Sequence, residues 1–380
     1  MTQIAIMVEN SRAYGRTLIE GIATYAQEHC SWLLRPIAAD EAFSVNLRRY
    51  DGIIARIADE RLAKRITESG RPAVDVFCQT PHAGLASVDS DHQRIGIIAK
   101  EFFKSRGFTN FAYCGFPGTA FSNAREKAYA DDATYIYLPR KRHLPDESQF
   151  YNERVDRIQD ARSLSRWLKT LPKPIAVFCC NDLRAIQLQR VAIDNGLCVP
   201  EDLAILGVDN DTIACSFAEV PISSINPNSF EIGQAAARIL ATMLAKRPDR
   251  KHHKPHYVKP GEITERTSTE FMPINPPWLG QVLMHIEKNM RRPIPASEIF
   301  NLAERSSTFV ENVFKEKLGL PVQAYITSVK MREAKRLIAD PNQRISEIGY
   351  ACGFSSPQYF CRTFTATFGM NPKAYRARQT

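Results

Sequence analysis

The chain has no apolar stretch that approaches the roughly 20 residues needed to cross a bilayer. Its first apolar run, Ile4 to Val8, is too short for the core of a signal peptide and is not followed by a small-residue cleavage pattern. Nine cysteines are scattered and odd in number, and none is spaced Cys-x-x-Cys. That usage predicts reduced thiols in a cytoplasm, with no disulfide framework and no zinc site. Also missing are a nucleophile elbow, a glycine-rich phosphate loop and any cluster of metal-ligand spacing. No catalytic residue, cofactor or metal is therefore expected. His252, His253 and His256 lie in a basic loop without carboxylate or cysteine partners and read as solvated. What is present is ordinary for a soluble globular protein: 380 residues, 44% hydrophobic and 24% charged, enough for two or three domains.

The most patterned stretch is near the C-terminus. Ser356-Pro357 reads as an N-cap followed by a proline at the first helical position, where no amide is lost. Phe360, Phe364 and Phe368 then recur every fourth residue, so one helix face is buried. Gly369 supplies a left-handed stop, and Asn371-Pro372 caps another short helix carrying Tyr375 and Arg376. Upstream, Ile345 to Cys352 is a short amphipathic helix that ends at Gly353. Two short helices joined at a glycine form a helix-turn-helix. The solvent face of the second helix carries Gln358, Tyr359, Arg362 and Thr363, side chains that reach base edges and phosphates.

The same grammar occurs about fifty residues earlier. Ser306, Val310, Phe314, Gly319 and Tyr325 answer Ser356, Phe360, Phe364, Gly369 and Tyr375, and Glu298-Ile299 answers Glu347-Ile348. Ser307, Thr308, Glu311, Asn312 and Lys315 then occupy the outward face of the first unit. Val322 to Ala339, without proline or glycine, reads as one connecting helix about 27 Å long. Such a helix with its end turns suits two readers of successive major-groove turns, about 34 Å apart. Charge agrees: Trp278 to Thr380 holds 15 Lys and Arg against 8 Asp and Glu, a net of +7 out of +9 for the whole chain. Basicity concentrated in one small domain favours a polyanionic partner, nucleic acid rather than membrane.

Glu347-Ile348-Gly349, Gly353-Phe354, Tyr359-Phe360, Arg362, Phe364, Gly369 and Pro372 together resemble the AraC/XylS family of transcription regulators. That resemblance implies double-stranded DNA with repeated half-sites as partner, with Ser356 and Pro357 opening the second reading helix. The chain departs from the family at Gly349, where alanine is usual, and at Thr365-Ala366, where basic residues are common.

The first 270 residues alternate apolar runs with amphipathic segments. Runs at 4–8, 50–55, 72–77, 86–88, 111–115, 133–138, 175–180 and 203–208 are separated by helices, which predicts α/β architecture with parallel sheets. Such sheets bind ligands beyond the carboxyl ends of their strands. Asp51-Gly52-Ile53-Ile54, Asn181-Asp182, Val199-Pro200-Glu201-Asp202, Gly207-Val208-Asp209 and Gly233-Gln234-Ala235-Ala236 resemble the sensing core of LacI/GalR-type regulators. That core is similar to periplasmic sugar-binding proteins. The resemblance implies a two-lobed α/β sensor over residues 1–270, with lobes of about 1–115 plus 227–250 and 116–226 plus 251–270. A linker at 271–277 and an all-α domain with two helix-turn-helix units at 278–380 would follow. LacI-type repressors carry their DNA reader ahead of this core, whereas here the first strand begins at once and the reader is expected at the other end. A LacI-like sensor followed by an AraC-type reader resembles the xylose operon regulator group.

Sugar hydroxyls are taken in pairs by carboxylates and amides, and an aromatic face meets the C–H surface of the ring. The resemblance places Asn181 and Asp209 against hydroxyls and Arg125 at the arginine that follows the hinge. Asp182, Asn210, Asn10 and Tyr14 complete the expected effector set, with Phe121 as the stacking ring. Each has a plain structural alternative: strand-end Asp and Asn are also turn formers or caps, Arg125 could pair with Glu126 or Asp131, and Phe121 could be core. The expectation is a pentose-responsive activator, D-xylose first, acting as a homodimer on RNA polymerase. The alternatives are a response to a non-sugar metabolite, or a cytoplasmic solute receptor whose terminal helices bind a protein partner.

Overall fold

The computed structural model describes residues 1–38, 41–58, 60–79, 85–139, 160–245, 255–340 and 342–378. The chain divides into two compact units, Met1–Glu270 and Phe271–Thr380.

The first unit contains two six-stranded sheets. In one, β1 (Thr2–Met7) lies between β2 (Trp32–Pro36) and β3 (Gly52–Ala55), and β4 (Ala73–Asp75), β5 (Ala86–Ser90) and β11 (His256–Val258) continue from β3. In the other, the order is β12 (Ile263–Thr264), β10 (Ser223–Ile225), β9 (Leu203–Val208), β8 (Ile175–Cys179), β6 (Phe111–Cys114) and β7 (Tyr135–Tyr137). Pairing is parallel except between β10 and β12. The central strands β3, β6, β8 and β9 are buried throughout, because helices cover both faces of a parallel sheet; hence continuous apolar runs rather than alternation.

Helix α1 (Ala13–His29) packs on α8 (Ser229–Ala245) over the first sheet through two glycines. A Cβ on Gly21 would stand 2.1 Å from the Phe230 carbonyl oxygen, and one on Gly233 2.1 Å from that of Leu18. The helix α2 (Glu60–Ser69) covers the opposite face with Leu62, Ala63 and Ile66. In the second lobe α3 (His92–Ser105) lies on α4 (Ala120–Tyr129), and α5 (Ala161–Leu168), α6 (Asp182–Asp194) and α7 (Thr212–Phe217) follow. Cys179 and Cys180 are small buried residues here, as their apolar setting suggests.

The lobe boundaries differ from those expected. The first crossing falls between β5 and α3, at about residue 91, so β6 is a central strand of the second sheet and 91–115 belongs to the second lobe. Residues 255–258, expected in the second lobe, add β11 to the first sheet, with His256 opposite Val88. A two-sheet chain repeats one β-α rhythm throughout, and nothing local in that rhythm marks where it changes sheets. The crossings at Ser90–His92, Asn226–Asn228 and Val258–Glu262 are tied together: Ser90 Oγ donates to the Pro227 carbonyl (2.9 Å), Asp91 N to Val258 O (2.9 Å) and Asn226 N to Glu262 O (3.1 Å). His252 and His253 lie outside the described residues.

The second unit is helical. The α9 (Pro277–Asn289), α10 (Ala296–Ala303) and α11 (Ser307–Leu318) helices surround Leu283, Ile286, Ile299, Val310 and Phe314. The stretch expected to be a free linker is part of this core: Met272 is buried in it, and Ile274 packs against it. Helix α12 (Val322–Leu337) has 16 residues, about 24 Å, somewhat shorter than the 27 Å expected. Met331, Ala334 and Ile338 then join Ile348, Phe354, Phe360 and Phe364 from α13 (Ile345–Ala351) and α14 (Pro357–Phe368), with α15 (Pro372–Ala377) alongside.

Candidate effector cleft and nucleic-acid interface

Between the lobes of the first unit lies a cleft of about 690 Å³, its open mouth included. Glu9, Arg12, Tyr14, Arg56, Phe77 and Asp89 line it from one lobe; His92, Phe116, Thr119, Phe121, Arg125, Asn181 and Asp209 line it from the other and from the crossing. These residues follow the carboxyl ends of β1, β3, β4, β5, β6, β8 and β9, as expected for parallel sheets.

Five of the eight expected effector residues meet there: Tyr14, Phe121, Arg125, Asn181 and Asp209. Asp209 has φ 118 and Asn210 φ 47, so the strand end turns through the left-handed region, which non-glycine residues seldom enter. Burial raises the Asp209 carboxyl above the ordinary carboxylate range, while the guanidinium groups of Arg125, Arg12 and Arg56 pull it back. Asn181 has extended backbone and caps α6, its Oδ1 accepting from Arg184 N at 2.9 Å. Arg125 pairs with neither Glu126 nor Asp131. Its Nη1 donates to the Cys180 carbonyl and its Nη2 lies 3.2 Å from His92 Nδ1, while its Nε is buried without a partner. Since arginine only donates, His92 Nδ1 accepts, and the ring proton sits on Nε2, 3.1 Å from Asp89 Oδ2.

Three expected residues do not line the cleft. Asn10 is exposed, and its carbonyl accepts from Arg16 at 3.3 Å. Asp182 points into the protein, where Ser224 Oγ (2.5 Å) and Asp211 N (2.9 Å) donate to it. Burial, and then the Asp209 charge, push its carboxyl up. Asn210 turns to the segment after β12, its Oδ1 accepting from Arg266 Nη2 at 2.9 Å. Asn181 is the N-cap and Asp182 the first residue of α6, and Asp209 and Asn210 sit in a left-handed turn after β9, so each motif places one of its pair in the cleft and turns the other away.

The cleft also holds residues that the sequence did not single out. Phe77 lies 6.3 Å from the Phe121 ring, and the Arg56 guanidinium sits 4.1 Å above Phe77. His92 lies 6.2 Å from Phe121. Glu9 directly follows the first apolar run, whereas Arg56, Phe77 and Asp89 arrive only through sheet order.

The second unit presents two exposed helix faces. Ser306 Oγ caps α11 by accepting from Phe309 N (3.3 Å), and Ser356 Oγ caps α14 by accepting from Tyr359 N (3.2 Å). Both helices end on left-handed glycines, Gly319 and Gly369, each at φ 71. Ser307, Thr308, Asn312 and Lys315 are exposed on α11, as are Gln358, Tyr359 and Arg362 on α14. The Arg362 guanidinium stands 5.5 Å over the Tyr359 ring. Others of the expected set have internal duties: Glu311 Oε2 accepts from Val322 N (3.2 Å), Pro357 opens its helix, and Thr363 Oγ1 donates to Tyr359 O (2.9 Å). Gly349 is explained by closeness, since a Cβ there would meet Phe360 Cβ at 3.1 Å.

Comparison with known proteins decides the class. Residues 100–269 match the periplasmic binding protein-like domain, and residues 301–378 match a helix-turn-helix domain. The xylose operon regulatory protein of Haemophilus influenzae is 25% identical over 388 residues, 98% of either chain. That of Escherichia coli K12 is 25% identical over 392 residues, covering 98% of this chain and 96% of the relative.

The chain joins a periplasmic-binding-protein-like domain to an AraC-type helix-turn-helix domain and is homologous to the xylose operon regulatory proteins.

Among solved structures, the xylose-binding transcription activator xylR superimposes on the regulator with a TM-score of 0.60, 24% identity, and coverage of 100% of this chain and 98% of the other. A LacI-family regulator from Enterococcus faecium with bound ribose gives a TM-score of 0.55 at 20% identity, over 70% of this chain and 98% of the other. The regulator thus joins a sensor-like unit to a helix-turn-helix unit, and the proteins it is homologous to are transcription regulators rather than enzymes. Among the described residues no helix is long and apolar enough to cross a membrane, and no group of His, Cys, Asp and Glu could hold a metal ion.

Proposed function

We propose that the regulator senses a pentose, D-xylose first, and activates sugar-use genes in the cytoplasm as a homodimer that engages RNA polymerase. The observation that carries the sugar reading is the convergence of Asp209, Asn181 and Arg125 with the Phe77 and Phe121 rings in one cleft. Carboxylate, amide and guanidinium take hydroxyls in pairs, and the rings present apolar faces. The full-length similarity to the xylose operon regulatory proteins supports D-xylose among pentoses. Sugar contacts both lobes and so favours the closed arrangement. On the DNA side, Thr308, Asn312 and Lys315 in the first unit and Gln358, Tyr359 and Arg362 in the second face successive groove segments.

Thermal unfolding against pentoses, hexoses and their polyols tests the sensor. A ligand at a hundred times its dissociation constant stabilises the native state by about 2.7 kcal/mol, a shift of several degrees. A shift with one pentose that disappears in Asp209→Ala is the expected result. No shift with any sugar would remove the sugar reading.

A further inference from the structure

Helix α4 carries Phe121 and Arg125 into the cleft, and its own N-terminus is incompletely capped. The first amides of a helix have no partner within it and need an outside acceptor. Thr119, at the N-cap position, makes no side-chain cap bond; its Oγ1 turns back to the Phe116 carbonyl at 3.3 Å. The acceptor comes instead from the opposite lobe. Ala120 N donates to Gln79 Oε1 at 2.9 Å, and Gln79 Nε2 donates to Gly118 O at 2.8 Å. One amide side chain thus spends both its ends on the main chain across the cleft.

We propose that Gln79 is a positioning residue that caps α4 in the closed form and so couples effector binding to lobe closure; this rests on the reading of the cleft as the effector site. The segment that presents Gln79 is anchored on one side by a buried carboxylate. The buried Asp75 carboxylate accepts from the amides of Ile57 (3.1 Å), Phe77 (3.0 Å) and Cys78 (3.2 Å). Cys78 is thereby kept at φ 46, a left-handed conformation that a non-glycine residue keeps only where its surroundings over-determine it. The same segment therefore fixes Phe77 as cleft wall and Gln79 as latch. When the lobes part, Ala120 N–H and Gly118 C=O return to water. Closure restores the cap and sets Phe121 and Arg125 where effector meets them, so the two equilibria share one conformation. A second link across the cleft, Asp211 with Ala13 N (3.4 Å) and Arg16 (4.0 Å), is longer and looser.

The test is hydrogen exchange at the Ala120 amide of the full chain without any sugar, combined with D-xylose calorimetry on wild type, Gln79→Ala and Gln79→Glu. Gln79→Ala should accelerate exchange at Ala120 far more than at the amides of the sheet cores, and should weaken D-xylose by about three- to tenfold, the worth of a partly exposed hydrogen-bond pair. Gln79→Glu keeps the acceptor at a helix N-terminus, which favours negative charge, and should restore protection of Ala120. Equal Ala120 exchange in wild type and Gln79→Ala would overturn the latch. If D-xylose fails to bind wild type, the sugar reading falls while the exchange rates still decide the latch.

Discussion

Lys330 Nζ donates to the carbonyl of Gly353 at 2.7 Å, and the same ammonium reaches the carbonyl of Arg292 at 2.8 Å. Lys330 is buried in the middle of α12, Gly353 forms the turn of the second helix-turn-helix, and Arg292 precedes the first. Gly353 has φ 67, and a Cβ there would meet the Arg292 backbone at 2.6 Å. The two reading units are therefore locked to one another by a single cation, whose desolvation lowers its affinity for the proton.

Replacing Lys330 by methionine keeps the stem but leaves two carbonyls without a donor, at about 1–3 kcal/mol for each buried unsatisfied group. The loosened hinge should also tolerate altered half-site spacing. Urea denaturation reads the first effect. DNA binding with one or two base pairs inserted between half-sites reads the second, with wild type discriminating and Lys330→Met discriminating less.

If Arg362 reads a base, Arg362→Ala should cost about 1–3 kcal/mol and relax preference at one operator position. Equal weakening on every sequence, with a shallower salt dependence, would assign the guanidinium to a phosphate instead. Binding to a panel of single-base operator variants separates the two.

The Asp182 carboxyl is held above the ordinary range by burial and by Asp209. A folded-state pKa above the unfolded value of about 3.9 means that the native state binds the proton more tightly. That contribution is complete below the unfolded value and is lost as pH rises until Asp182 ionises. Sensor stability should therefore decline from mildly acidic toward neutral and alkaline pH. Asp182→Asn, which imitates the protonated group, should flatten the decline in a series of thermal midpoints.

Gly233→Ala places a Cβ 2.1 Å from Leu18 O and 3.0 Å from Ile22 N. The clash is with backbone, so α1 and α8 must separate, costing about 1–3 kcal/mol or more. The denaturation midpoint of the sensor should fall while operator binding by the reading helices persists.

The sequence by itself determined the helices of the DNA-binding unit, because caps, glycine stops and the fourfold spacing of phenylalanines are local signals. Ser306, Ser356, Gly319 and Gly369 do what their residue types predict. It also determined the α/β class, through buried runs that only a doubly covered parallel sheet needs. Strand order, and with it the cleft, was decided in three dimensions. Arg56, Phe77 and Asp89 come together because β3, β4 and β5 are neighbours, a fact with no counterpart in the residues around each. Likewise Asp182 and Asp209 are both acidic residues at strand ends, but only Asp209 lines the cleft. Tertiary packing also assigned Met272 to a core rather than a linker, and brought Gln79 against Ala120, 41 residues away. Local pattern records which backbone a residue favours; which neighbour it meets depends on chain crossings that no short window contains.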